Sequence, residues 1–282
     1  MKFNKDQLEQ YNTEGYVIFE CPFREHLTND CMAAVEKVRL DDPEEVMACD
    51  GRRNHYRLKP QIPGSYWCDL DHSLPFLKVI LHEEIVELAR QLIGEEDIYL
   101  RNAGINEQAP NRSTLWHRDG GPVWAEFMHY FSGAKCEDGC LRVVPGSQYG
   151  PIEPWKDLLE QQRKERDVTT SPGVDGFEDA ELPEEISLEV DPHHMIVRFS
   201  QILHATWLNR SDKGRCMSHW LFHPHDRNNH RFNFNEYLTP ELVDSLDQDQ
   251  KDVLWLDRDF ELDPNFAKER ESELGKVMWG VV

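Results

Sequence analysis

The chain has 282 residues, enough for one large domain or two small ones and for a substantial buried core. Its 31 Lys and Arg stand against 53 Asp and Glu, a formal charge of −22. Such a surface repels phosphate backbones and anionic lipid heads, so neither nucleic acid nor a membrane is an expected partner. Seven cysteines, an odd number without a Cys-x-x-Cys pair, suit reduced thiols in a cytoplasmic protein. The first residues lack an apolar signal core, and no apolar run approaches the length of a membrane span.

Residues 4–12 suit a short helix, and Gly15 introduces the β-rich run Tyr16-Val17-Ile18-Phe19. Thr28 is an N-cap candidate for a helix running to about Arg39, with Met32, Val35 and Val38 at helical spacing. From 41 to 67 the pattern is irregular and polar. Residues 74–93 predict one helix ended by Gly94, with Leu77, Ile80, Leu81, Ile85, Leu88 and Leu92 forming an apolar stripe. Beyond residue 97, short strand-like runs follow at 98–105, 124–131, 140–144 and 195–199. Trp207 and residues 216–222 continue the style, which predicts an antiparallel sandwich or barrel. Residues 151–192 break it. They are charged, hold a helix at 154–165, and form an expected insertion or lid within a single domain spanning 1–282. The tail from 239 carries helical fragments. No internal repeat is present.

Metal chemistry is suggested by Trp116-His117-Arg118-Asp119-Gly120. Thirteen histidines in so acidic a chain yield about one His-x-Asp by chance, so placement matters more than occurrence. Side chains two apart on a strand share a face, which would aim His117 and Asp119 together before Gly120-Gly121-Pro122 turns the chain away. The rival pair His82 and Glu84 falls in a predicted helix, where residues two apart diverge. Two imidazoles and one carboxylate occupy one face of an octahedral iron and leave the other open. A third ligand could come from His129, His193, His194, His204, His219, His223, His225 or His230. Of these, His204 follows an apolar strand pattern and opens a polar run.

Three segments carry a family resemblance: Leu115 to Asp119; Cys136-Glu137-Asp138-Gly139-Cys140-Leu141-Arg142-Val143-Val144-Pro145-Gly146-Ser147-Gln148; and His204, Thr206, Asn209, Ser211 and Arg215 at their spacing. Over about residues 5–225 the chain resembles the phytanoyl-CoA dioxygenase (PhyH) family of iron(II)- and 2-oxoglutarate-dependent oxygenases. The resemblance implies a mostly β fold with flanking helices around a double-stranded β-helix (jelly-roll, cupin-like) core. It implies Fe(II) as cofactor, with 2-oxoglutarate and O2 as cosubstrates. His117, Asp119 and His204 would bind the iron and form the catalytic set. Arg215 would pair with the C5 carboxylate of 2-oxoglutarate, a task that suits a guanidinium fork. Thr206, on the face of His204, would help hold that carboxylate, and Asn102 or Asn106 could assist.

The departures are Ala205-Thr206 where the family often has Gly-Ser, and Gln148 where His is common. Related halogenases lack the carboxylate that Asp119 retains, so halogenation is not expected. Residues 143–147 have the character of a strand ending in a turn, hence scaffold. The expected product is a hydroxylated small molecule, with demethylation, desaturation or ring chemistry open to the same machinery. Substrate-contact candidates are Arg57, Lys59, Tyr66, Trp67, Arg101, Trp124 and His129, though surface charge and core packing are the ordinary roles of such residues. Two other readings stay open. One is a noncatalytic metal- or ligand-binding jelly-roll; the other is a zinc hydrolase with the same ligands, in which Arg215 has no particular role. Oligomeric state and substrate identity are not encoded in any motif.

Overall fold

A computed structural model describes residues 1–41, 46–48, 53–56, 70–119, 125–166, 180–225, 234–236 and 238–259. Helix α1 (Lys5–Glu14) begins at a capping box in which Asn4 and Gln7 exchange side-chain and backbone bonds, and it ends at Gly15 in the left-handed region (φ 89°). Strand β1 (Tyr16–Glu20) follows, then α2 (Glu25–Asp41). Thr28 does not cap α2. The helix starts one turn earlier, with Glu25 favourably placed at the positive end of its dipole, and Thr28 is buried inside it.

The polar stretch expected to be irregular contains β2 (Val46–Ala48) and β3 (Arg53–Tyr56), a hairpin that joins the sheet through backbone pairing, for which polar composition is no obstacle. The single helix expected at 74–93 is two: α3 (Leu70–Ile80) and α4 (Glu83–Ile93). The break falls at His82, whose extended backbone (φ −60°, ψ 130°) caps α4 ahead of Glu83 and Glu84. The apolar stripe survives the break because both helices turn it to the same core.

Seven strands form one sheet in the order β1-β8-β5-β10-β4-β3-β2, with β4 Ile98–Gln108, β5 Ala125–Tyr130, β8 His194–Phe199 and β10 Arg215–Pro224. Three more, β6 (Leu141–Val143), β7 (Ile186–Leu188) and β9 (His204–Thr206), form a second sheet in the order β7-β6-β9. Every pairing is antiparallel. This is the expected mostly β architecture with flanking helices.

Strand alternation divides the large sheet. Phe127, Val197, Trp220 and Phe222 face a core shared with Ile85 and Leu88 of α4. Met128, Tyr130 and Ile196 face the small sheet, where they meet Leu141, Val143 and Leu188. Fully burying side chains of this size stabilises by about 1.5–3 kcal/mol each. A register shift between Leu221 and Phe222 makes Arg101 the extra residue of β4, so Leu100 before it and Ala103 after it both face the helices.

Residues 151–192 hold α5 (Glu153–Glu165) and β7. Trp155 and Leu159 of α5 pack with Leu182 against Val144, Leu203 and Trp116. Near the C-terminus, α6 (Pro240–Ser245) and α7 (Gln248–Val253) follow. Among the described residues no helix is long and apolar enough to cross a membrane.

Candidate metal centre

Between the two sheets lies a cavity of about 220 Å³ whose wall includes His117, Asp119, His204, Thr206 and Arg215. His117 is not within a strand. It makes a one-residue bridge to His204, each backbone N–H donating to the other's carbonyl at 3.0 Å. Two histidines 87 positions apart thereby become direct neighbours, with ring centroids 4.1 Å apart. His117 Nδ1 lies 2.7 Å from the Leu115 carbonyl, and His204 Nδ1 lies 2.9 Å from the Ile202 carbonyl. A carbonyl only accepts, so each Nδ1 carries a proton and each Nε2 is the nitrogen turned toward Asp119. His117 Nε2 is 3.5 Å from Oδ1 and His204 Nε2 is 3.7 Å from Oδ2. One ligand atom from each of the three residues falls within 4.8 Å of the others. Imidazoles held by backbone carbonyls, beside one carboxylate, are the donor set of a divalent transition metal.

Electrostatics keeps His204 and Asp119 in ligating form. Burial holds His204 well below the ordinary histidine value, helped by Arg198 and His117, so it stays neutral. Burial alone would push the Asp119 carboxyl up. The charges of His204 and Arg198 and the His117 hydrogen bond outweigh it and hold Asp119 well below the usual carboxylate range. Because His204 is itself neutral near pH 7, the cation that persists beside Asp119 is Arg198.

At the other end of the cavity is Arg215, on β10 and 6% exposed. Its Nη2 donates to Gln108 Oε1 at 2.7 Å, and its guanidinium carbon sits 4.8 Å from the centroid of the Tyr130 ring. Among the described residues Nε and Nη1 are buried without an acceptor, as expected of a fork that awaits a carboxylate. Gln108 is held in turn by two bonds from its Nε2, to the carbonyls of Arg112 (2.8 Å) and Trp207 (2.9 Å). Thr206 Oγ1 accepts from the Thr114 amide at 2.7 Å, which leaves its hydroxyl hydrogen free to donate.

The remaining motif residues are supports. Asn209, fully buried, donates to the carbonyls of Gln108 (3.0 Å) and Lys213 (2.8 Å) and accepts from the Ser211 amide (3.0 Å) and hydroxyl (2.7 Å). This fixes the turn that delivers Arg215. The Ser147 hydroxyl accepts from the Leu203 amide at 2.8 Å, and the Ser147 carbonyl accepts from Arg118. The Val143–Ser147 turn is therefore more than generic scaffold: it ties the segments bearing Asp119 and His204 to one loop.

Arg101 lines the cavity, as do Asn106 and His219. His129 does not. It alternates with Met128 and Tyr130 on β5, so it points to the helix side, where its Nε2 lies 3.4 Å from Thr28 Oγ1 and 3.3 Å from the Pro192 carbonyl. Asn102 stands on β4 opposite Leu221, but its side chain lies outside what is described. Arg57, Lys59, Tyr66, Trp67 and Trp124 lie outside the described residues. Gln108, Glu126 and Arg198 are among the cavity residues that the sequence does not single out. A charge inside the apolar run Met195–Phe199 was the available signal for Arg198. Glu126 and Gln108 become visible only through strand register.

A family model described as phytanoyl-CoA dioxygenase (PhyH) matches residues 11–217. A search of the curated proteins finds no match. Among solved structures, HygX from Streptomyces hygroscopicus with nickel, 2-oxoglutarate and hygromycin B bound is 14% identical, with a TM-score of 0.60 over 85% of this chain and 94% of that one. The non-heme alpha-ketoglutarate-dependent carbocyclase SnoK from nogalamycin biosynthesis is 18% identical, with a TM-score of 0.57 over 82% of this chain and 86% of that one. AviO1 from Streptomyces viridochromogenes Tue57 is 17% identical, with a TM-score of 0.54 over 78% and 94%.

Proposed function

Because the chain belongs to the phytanoyl-CoA dioxygenase (PhyH) family, we propose that it is an Fe(II)- and 2-oxoglutarate-dependent dioxygenase that oxidises a small molecule, with His117, Asp119 and His204 as the metal ligands. One observation carries the reading. The three ligand atoms and the unpaired face of the Arg215 guanidinium share a single cavity. A zinc hydrolase has no use for that second element, and a noncatalytic binding protein would form no succinate.

Arg215 binds the C5 carboxylate of 2-oxoglutarate through Nε and Nη1, with Gln108 fixing the fork and the Thr206 hydroxyl donating a further bond. His117, Asp119 and His204 would hold the iron and leave room on it for the cosubstrates. Bound ferrous iron supplies the activation of O2, coupled to oxidative decarboxylation of 2-oxoglutarate. In the default outcome, substrate, 2-oxoglutarate and O2 become hydroxylated substrate, succinate and CO2: one oxygen atom enters each organic product. The protein's own work is orientation and exclusion of water from a buried cavity.

Arg101 and His219 contribute cationic or hydrogen-bonding groups to the wall, which favours a polar substrate with acceptor oxygens. HygX with hygromycin B and the epimerase SnoN with nogalamycin RO are such cases on a similar fold. We assign residues 1–282 to one domain. Within it, the segment 151–192 acts as a cover through its helix α5, which packs on Trp116 beside His117 and on Leu203 beside His204. The described cysteines Cys21, Cys31, Cys136, Cys140 and Cys216 are free thiols, which suits a reducing cytoplasm.

The test is anaerobic addition of Fe(II) and 2-oxoglutarate to the purified protein. A visible metal-to-ligand charge-transfer band is expected, and its absence from the wild type would remove the reading. Succinate release in the presence of O2, screened across polar small molecules, then identifies the substrate.

A further inference from the structure

Arg198 is an unusual neighbour for a metal ligand. It stands on β8, with its side chain 4% exposed, and its guanidinium makes four contacts. Nη2 donates to Asp119 Oδ2 at 2.9 Å and pairs with Glu126. Nη1 donates to the carbonyls of Phe199 at 3.2 Å and Ser200 at 3.1 Å. Ser200 opens the short connection to His204. One rigid fork thus links the Asp119 segment, strand β5 and the approach to the second histidine. Glu126 is cross-strand partner to Arg198 and is itself braced by His219, whose Nδ1 lies 3.2 Å from Oε1.

A buried cation beside a divalent metal is electrostatically adverse unless something offsets it and something requires it. Glu126 supplies the offset. The requirement lies in the chemistry of the carboxylate. Asp119 bound through both oxygens would occupy two of six metal positions; bound through one, it leaves three positions beyond the histidines. Chelation by 2-oxoglutarate would need two of these, and O2 the third. Arg198 already engages Oδ2, while Oδ1 faces His117 Nε2.

We propose that Arg198 is a positioning residue for the metal-binding carboxylate: braced by Glu126, it holds Asp119 Oδ2 and reserves Oδ1 for the metal, so that the cosubstrate positions stay open. This rests on the iron and 2-oxoglutarate reading above. It concerns denticity, so its signature is a selective effect on 2-oxoglutarate rather than on the metal.

The experiment compares wild type, Arg198→Met, Arg198→Lys and the double variant Arg198→Met with Glu126→Gln, which leaves no stranded carboxylate. Each is titrated anaerobically, first with Fe(II) and then with 2-oxoglutarate. The readouts are the Fe(II) Kd by calorimetry and the 2-oxoglutarate Kd and band position by visible absorption. Arg198→Met should raise the 2-oxoglutarate Kd by about tenfold and displace the charge-transfer band, with a smaller change in the Fe(II) Kd. The double variant should do the same, and it carries the test if Arg198→Met alone fails to fold. Arg198→Lys, which keeps the charge but cannot hold Asp119 and the Ser200 carbonyl together, should fall between. A folded double variant with the wild-type band and wild-type 2-oxoglutarate Kd overturns the proposal and leaves Arg198 a packing residue. Absence of the band from wild type fails the underlying reading instead.

Discussion

His129 offers a quantitative test of which face of β5 it occupies. It lies in an aromatic nest, with ring centroids 5.3 Å from Phe23 and 5.2 Å from Phe131. Its Nε2 contacts the Pro192 carbonyl, and its buried Nδ1 has no partner, so a second ring proton would find no acceptor. Burial accordingly lowers its pKa from the ordinary 6.5 to about 4. The unfolded chain therefore binds the proton more readily than the folded one. Stability from this group is complete above pH 6.5, is lost as pH falls through the window from 6.5 to about 4, and changes little below it. At 1.36 kcal/mol per pKa unit the loss at pH 4 is about 3 kcal/mol. Urea denaturation at pH 7 and pH 4 of wild type and His129→Gln isolates this term, because His204 and the carboxylates titrate in both proteins. The variant should lose about 3 kcal/mol less than wild type over that interval. Equal losses would refute the burial argument and return His129 to the accessible side of the sheet.

Arg215→Met should raise the 2-oxoglutarate Kd about 10²-fold, as expected for two lost charge-assisted bonds, and leave the Fe(II) Kd near wild type; an unchanged 2-oxoglutarate Kd would contradict its role. Gly139 holds φ 80°, and a methyl there would overlap the Gln108 amide, so Gly139→Ala should cost about 1–3 kcal/mol and weaken 2-oxoglutarate through Arg215, read by thermal denaturation and absorption titration together. Arg142, 1% exposed, pairs with Glu185 at 3.2 Å and lies 4.1 Å from the centroid of the Trp207 ring. Glu185→Gln should destabilise by about 3 kcal/mol in urea, and Arg142→Met in the same chain should restore much of it, because the cost is the loss of the carboxylate that offsets a buried charge.

The residues proposed as ligands can be grouped from the sequence because their constraints are local: the two-residue step from His117 to Asp119, and the spacing from His204 to Arg215 across one connection. Thr206 and Arg215 reached the cavity for the same reason. What sequence could not give was parity relative to the rest of the sheet. His129 and Glu126 sit on one strand, and nothing in Ala125–Tyr130 says which set of alternating residues meets the helices. The answer comes from partners: Glu126 from Arg198 across β8, His129 from Thr28 on α2. The break at His82 was hidden because an apolar stripe looks the same whether one helix or two carry it. The β2–β3 hairpin was hidden because its pairing is backbone to backbone. Gln108 is a polar residue at a strand end, and only the long-range approach of Trp207 and Arg215 gives it a task.

The bridge between His117 and His204 has a consequence for metal choice. Both imidazoles are aimed by bonds to the polypeptide itself, and Asp119 by a guanidinium, so the donors are arranged by folding rather than by the ion. A site assembled that way ranks divalent ions by intrinsic affinity, and the Irving–Williams order puts ferrous iron below cobalt, nickel and copper. Identity of the occupant then follows supply in the cell. The protein isolated from culture should carry whatever metal was most available during growth and purification, and zinc, nickel or cobalt should act as tight inhibitors competing with iron. Reconstitution under chelation, rather than simple addition of iron, is the route to the active form.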